Sequence, residues 1–207
     1  VQEAAQAMQG QHFQSMDADS ANAMVDSIGI DQVLNLQGDQ MAGMFSAMSG
    51  DQIQGFESGG VSAIVSSLGE NDFELLDSDS AFGMFNGMGL DQSLELDTGQ
   101  LAGLVSLFDS SQFEELGGDQ VVQVVEALNE EDLAGLGNEQ ALGIATSLDV
   151  GHFGQVEPGQ LFGLTTAIEA NDVDKLGSDV VTVIAKKIEV DDLATLGAEL
   201  AGAMFGL

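Results

Sequence analysis

At 207 residues and 44% hydrophobic content, the chain carries enough apolar side chain to bury a core, which excludes a disordered acidic tail. Thirty-five Asp and Glu against three Lys give a net charge of -32, which repels nucleic acid and anionic membranes; no apolar run approaches the roughly 18 residues of a membrane span. With no cysteine, disulfides and thiolate chemistry are excluded too.

From Gln11 the sequence falls into rows of 20 residues that align without insertion or deletion to Leu207. Ahead of the first row, residues Val1 to Met8 read as a helix with Val1, Ala4, Ala5 and Met8 on one face. Every row then has the same two parts. Row positions 3 and 6 hold apolar pairs such as Val33 and Leu36, Phe73 and Leu76, or Phe113 and Leu116, which suit one short α or 3₁₀ turn. Positions 11, 14, 15 and 18 hold sets such as Leu101, Leu104, Val105 and Phe108, then Val121, Val124, Val125 and Leu128. That spacing is one face of an α-helix, and the alternation of a β-strand is missing from every row. Long helices are therefore expected to begin near residues 1, 19, 39, 59, 79, 99, 119, 139, 159, 179 and 199.

The punctuation supports this division. Asp31, Asp51, Asn71, Asp91, Ser111, Gly151, Asn171 and Asp191 at position 1 are expected to cap the short elements. Gly117, Gly137, Gly177 and Gly197 are expected to end them in a left-handed conformation. Asp77, Asp97 and Ser178 then open long helices, with Pro158 as a first helical residue. Glycine recurs inside the long helix at position 13, as Gly43, Gly83, Gly103, Gly143 and Gly163. Each costs about 1 kcal/mol relative to alanine, which is best explained by a neighbour's backbone approaching closely. Gln40, Gln100, Gln120, Gln140 and Gln160 at position 10 suit a side-chain ladder or a solvent-facing stripe.

The fold class that follows is all-α: an α-solenoid of about ten 20-residue repeats, forming a single domain over residues 1–207 with partial repeats at both ends. The period is shorter than that of tetratricopeptide, ankyrin, HEAT or armadillo repeats, and the leucine-rich pattern is absent.

Few residues point to chemistry. His12 and His152 share row position 2, seven rows apart, so in a solenoid they belong to different sites. No serine has a neighbouring base in a nucleophile motif, no glycine-rich phosphate loop carries a lysine, and no enzyme or organic cofactor is expected. Carboxylates cluster at Glu130, Glu131 and Asp132 and at Glu189, Asp191 and Asp192, the candidates for weak binding of Ca²⁺, although neither follows an EF-hand spacing. Acids in a first helical turn also serve the helix dipole, which explains most of them.

The chain ends carry the functional expectation. Leu200, Ala201, Met204, Phe205 and Leu207 form an uncharged segment in the phase of the internal core, as Val1, Ala4, Ala5 and Met8 do at the other end. Two such ends suit head-to-tail contact between copies, hence a structural homo-oligomer or filament, or else an excerpt of a longer array. The opening at Val1 fits a removed leader or an excerpt, and together with the acidity it places the protein outside the cell, secreted or at its surface. The alternative is an acidic segment of a larger secreted adhesin or matrix protein that binds divalent cations or a basic partner.

Overall fold

The computed structural model describes residues 8–188 and 198–205, apart from the side chains of residues 70, 198, 199, 204 and 205. All regular structure among these residues is helical, in 19 helices with no strand. They group into two compact units, residues 1–108 and 109–207.

In the first unit short helices Gly10–Gln14, Ile30–Val33, Gly50–Gln54, Glu70–Phe73 and Leu90–Ser93 alternate with long helices Ala18–Ile28, Gly38–Ser46, Ser58–Ser67, Ser78–Met88 and Thr98–Val105. In the second, Ser110–Leu116, Glu130–Ala134, Val150–Phe153 and the 3₁₀ helix Ala170–Leu176 alternate with Gly118–Ala127, Asn138–Ser147, Pro158–Ala167, Ser178–Lys187 and Ala198–Phe205. The long helices thus begin one residue before the expected starts, with Pro158 at the first helical position.

Helices of four to eleven residues are marginal alone, so the fold depends on burying their apolar faces. The predicted core positions do this. Phe13, Val33, Ile53, Phe73, Phe113, Leu133, Phe153 and Val173 at row position 3 are buried, as are Met41, Val61, Ala81, Leu101, Val121, Ala141 and Leu161 at position 11. Phe82, beside the stripe, is buried as well, its ring edge-on to Phe108 at 5.3 Å.

Two expected caps are corrected. The short helices start two residues earlier than the position-1 residues suggest, so Asp31, Asp51, Asp91 and Ser111 lie inside them. The residue that caps is at position 19: Ser49, Asp109, Asn129 and Asp149 accept from the N–H groups of Gln52, Gln112, Asp132 and His152. An acid in the second helical position is favoured by the helix dipole, which is why position 1 resembles a cap. The second correction concerns glycine. Gly117 and Gly177 have φ of 76° and 78°, as expected of left-handed caps, but Gly137 has φ -70°. The reason is helix length. Ser110–Leu116 and Ala170–Leu176 run up to their glycine and need the reversal, whereas Glu130–Ala134 ends at Gly135 and reaches Gly137 in extended backbone. Gly197 and Asp191 lie outside the described residues.

Candidate functional site

The feature that recurs through both units is the seam between successive rows. Within each unit, short helices lie against the long helix of the next row: Gly10–Gln14 against Gly38–Ser46, Gly50–Gln54 against Ser78–Met88, Ser110–Leu116 against Asn138–Ser147, Glu130–Ala134 against Pro158–Ala167. The position-13 glycines are the contact points. A Cβ on Gly83 would stand 2.5 Å from Gly50 Cα, and one on Gly143 would stand 3.1 Å from Ser110 Cα. On Gly43 it would run into the Gly10 carbonyl, and on Gly163 into that of Glu130. Close backbone approach is therefore what Gly43, Gly83, Gly143 and Gly163 supply, whereas a Cβ on Gly103 would meet only the Phe73 ring, 2.9 Å from its Cδ2.

A second set of contacts ties rows two apart, and it replaces the glutamine ladder. Gln100 donates its Nε2 to the carbonyls of Val65, Ser66 and Leu68 at 3.3, 3.1 and 3.2 Å, acceptors at the C-terminal end of Ser58–Ser67. Gln160 does the same for Val125, Glu126 and Leu128 at 2.9, 3.1 and 2.8 Å, closing Gly118–Ala127. Gln40 donates to the Met8 carbonyl. The Oε1 atoms of Gln40 and Gln160 accept from the N–H groups of Gln37 and Glu157. The Gln160 amide thus serves the start of Pro158–Ala167 and the end of Gly118–Ala127. Replacing Gln160 with Ala is expected to cost about 1–2 kcal/mol in a urea melt, because the carbonyls of Val125 and Leu128 lie in a part-buried setting. An exposed variant such as Gln123→Ala is the neutral comparison.

The single site of this kind served by a cation among the described contacts is in the second unit. Lys187 Nζ donates to the carbonyls of Phe153, Gly154 and Val156 at 3.3, 2.8 and 2.6 Å, at the end of Val150–Phe153. A lysine at a helix C-terminus also meets the favourable end of its dipole.

Both histidines are capping residues. His12 Nδ1 accepts from the Gln9 N–H at 3.0 Å and His152 Nδ1 from the Asp149 N–H at 3.2 Å. A neutral ring used in this way carries its proton on Nε2, and that of His152 lies 3.1 Å from Asp119 Oδ1, two rows back. His12 is exposed, while His152 is only 18% exposed in its side chain and is packed over Gly118.

Glu130, Glu131 and Asp132 form the first turn of Glu130–Ala134. Glu130 and Glu131 are exposed, and the Asp132 carboxylate accepts from the Asn129 N–H at 3.4 Å. Among the described residues no group of three or more His, Asp or Glu is placed to hold one metal ion. Glu189, Asp191 and Asp192 lie outside those residues, as do Val1, Ala4, Ala5 and Leu207. Of the remaining end residues, Met8 and Ala201 are half-buried, and Leu200 is buried in a helix that packs on Ala170–Leu176. Side-chain placement of Met204 and Phe205 is outside the description.

Several cap carboxylates titrate low. The Asp17 carboxyl is held below its ordinary 3.8 by the Ser20 N–H, and that of Asp149 by the His152 N–H. The Ser111 hydroxyl lowers Asp109, and the Lys175 ammonium with the Asn138 amide lowers Asp172. A folded-state pKa below the unfolded one means stability that is present above pH about 4 and lost as pH falls through the lowered value. The difference in melting temperature between the native chain and an Asp17→Ala variant is therefore expected to be constant from pH 7 to about pH 5 and to narrow below pH about 4.

No protein-family model matches the chain, and no curated protein matches it significantly.

Proposed function

We propose that this chain is a structural repeat protein: an α-solenoid of about ten rows that assembles head to tail, outside the cell, into a filament or surface layer. The observation that supports the reading is the recurrence of one seam, a short helix seated on the next row's long helix, in both units. A contact that rows make with their successors within a unit offers a pattern for contact with a row of another copy. Such a contact joins unlike faces and propagates unless the rotation closes it. In this reading the joining faces hold Val1, Ala4, Ala5 and Met8 on one side and Ala201, Met204, Phe205 and Leu207 on the other, with Leu200 already packed within its own unit. Its histidines cap helices, and it is neither an enzyme nor a nucleic-acid binder.

Screening controls the assembly, because copies at -32 repel one another beyond the range of a salt-shortened Debye length. Sedimentation velocity and negative-stain electron microscopy test both statements. Polymers that grow with protein concentration and salt are expected, and Met204→Asp/Phe205→Asp is expected to leave monomers. A chain that sediments as a monomer in high salt and in millimolar Ca²⁺ overturns the proposal.

A further inference from the structure

The seam at Ile30 is built differently from those at Gly10 and Gly50, and the difference opens a groove. Where Gly10 and Gly50 begin their short helices, the short helix Ile30–Val33 begins with the branched Ile30. The long helix it meets, Ser58–Ser67, has Ala63 in place of the position-13 glycine and Gly60 in place of the position-10 glutamine. Ile30 therefore cannot settle at position 13; its Cγ2 atom instead lies over Gly60, where a Cβ would stand 3.2 Å from it. Held off in this way, the two helices leave a groove of about 500 Å³ between them. Its floor is apolar, with half-buried Ile30, Leu34, Phe56 and Ala63. Its rim carries the exposed carboxylates of Asp31 and Glu57.

The charge of the surroundings decides the class of occupant. All three lysines, Lys175, Lys186 and Lys187, belong to the second unit, and residues 1–108 contain no Lys or Arg at all. The rim carboxylates therefore have no cationic side chain of their own unit to pair with, and the field at the groove mouth is negative throughout. An apolar floor of this size takes a few aliphatic side chains, while the rim selects for positive charge and against acidic or neutral segments. We propose that this groove is a docking site for a basic amphipathic segment of a partner protein, its aliphatic face on Ile30, Leu34, Phe56 and Ala63 and its lysines or arginines at Asp31 and Glu57. The proposal is independent of head-to-tail assembly, which uses other residues.

The chain contains no Trp and no Tyr, so one tryptophan in a peptide reports binding without background. The probes are three peptides of equal length, each with one Trp: Leu and Lys in amphipathic order, Ser and Lys with the same charge, and Leu and Glu. Gly59→Phe blocks the groove at a helical position whose added Cβ meets nothing within 4 Å, and Asp31→Asn/Glu57→Gln removes the rim charge. The Leu–Lys peptide is expected to bind about tenfold more tightly than the Ser–Lys peptide, as burial of its aliphatic carbons on the groove floor allows. Gly59→Phe is expected to remove that advantage while circular dichroism stays unchanged, and the rim variant is expected to weaken binding and flatten its salt dependence. The Leu–Glu peptide is expected not to bind. Equal affinity for the two lysine peptides, or an affinity for the Leu–Lys peptide indifferent to Gly59→Phe and to the rim variant, overturns the proposal and reduces the interaction to diffuse charge attraction.

Discussion

Gly83→Ala is expected to destabilise the protein by about 1–3 kcal/mol, the range for overpacking a tight contact, even though alanine is the better helix former by about 1 kcal/mol. The added methyl carbon would stand 2.5 Å from Gly50 Cα and 2.8 Å from its carbonyl oxygen, and both are backbone atoms of a short helix that cannot swing aside as a side chain can. The paired control is Gly59→Ala, also at a helical glycine, where the methyl meets nothing within 4 Å. It is expected to stabilise by about 0.4–1 kcal/mol. In a chain of this size about 2–4 °C of melting temperature accompanies each kcal/mol, so thermal melts followed by circular dichroism resolve the opposite signs. Stabilisation by both substitutions would show that helix propensity, and not the seam, sets the effect at Gly83.

Phe113→Ala carries the largest expected loss, about 3–5 kcal/mol, because a fully buried ring is removed from a short helix with little else to hold it. Its neighbour across the seam allows a sharper test. A Cβ on Gly143 would stand 2.7 Å from Phe113 Cδ2 and 3.1 Å from Ser110 Cα. Gly143→Ala alone should be destabilising. In the Phe113→Ala background the ring is gone and only the Ser110 contact remains, so the same substitution should cost less, with a coupling of about 1–2 kcal/mol in a double-mutant cycle read by urea denaturation. Strict additivity would mean that the Ser110 backbone alone sets the cost at Gly143.

Much of this architecture is local and was legible in the sequence. The stripe at positions 11, 14, 15 and 18 requires a helix with one buried face, and the burial of Leu101, Leu104, Val105 and Phe108 is its direct result. Pro158 marks a first helical residue because its missing N–H is not needed there. The capping box was written in the sequence too, as Ser49 to Gln52, Asp109 to Gln112 and Asn129 to Asp132, but the more regular acids at position 1 masked it. Read for that spacing, the same signal gives His12 and His152 their local role.

What the sequence determined by itself is therefore the succession of helices and the face each one buries, because both depend on side-chain spacing within about two turns. Which helix covers which face was decided by tertiary structure alone. Gln100 and Gln160 find their carbonyls 32 to 35 residues away, and no pattern within a row records that distance. Gly117 and Gly137 occupy the same row position with opposite φ, because the lengths of the preceding short helices differ. The groove beside Ile30 is likewise invisible to row-by-row reading, which scores Ile30, Gly60 and Ala63 as three ordinary substitutions at separate positions. They act together only because the seam brings two rows to one point, where Ile30 lies over Gly60 and shares the groove with Ala63.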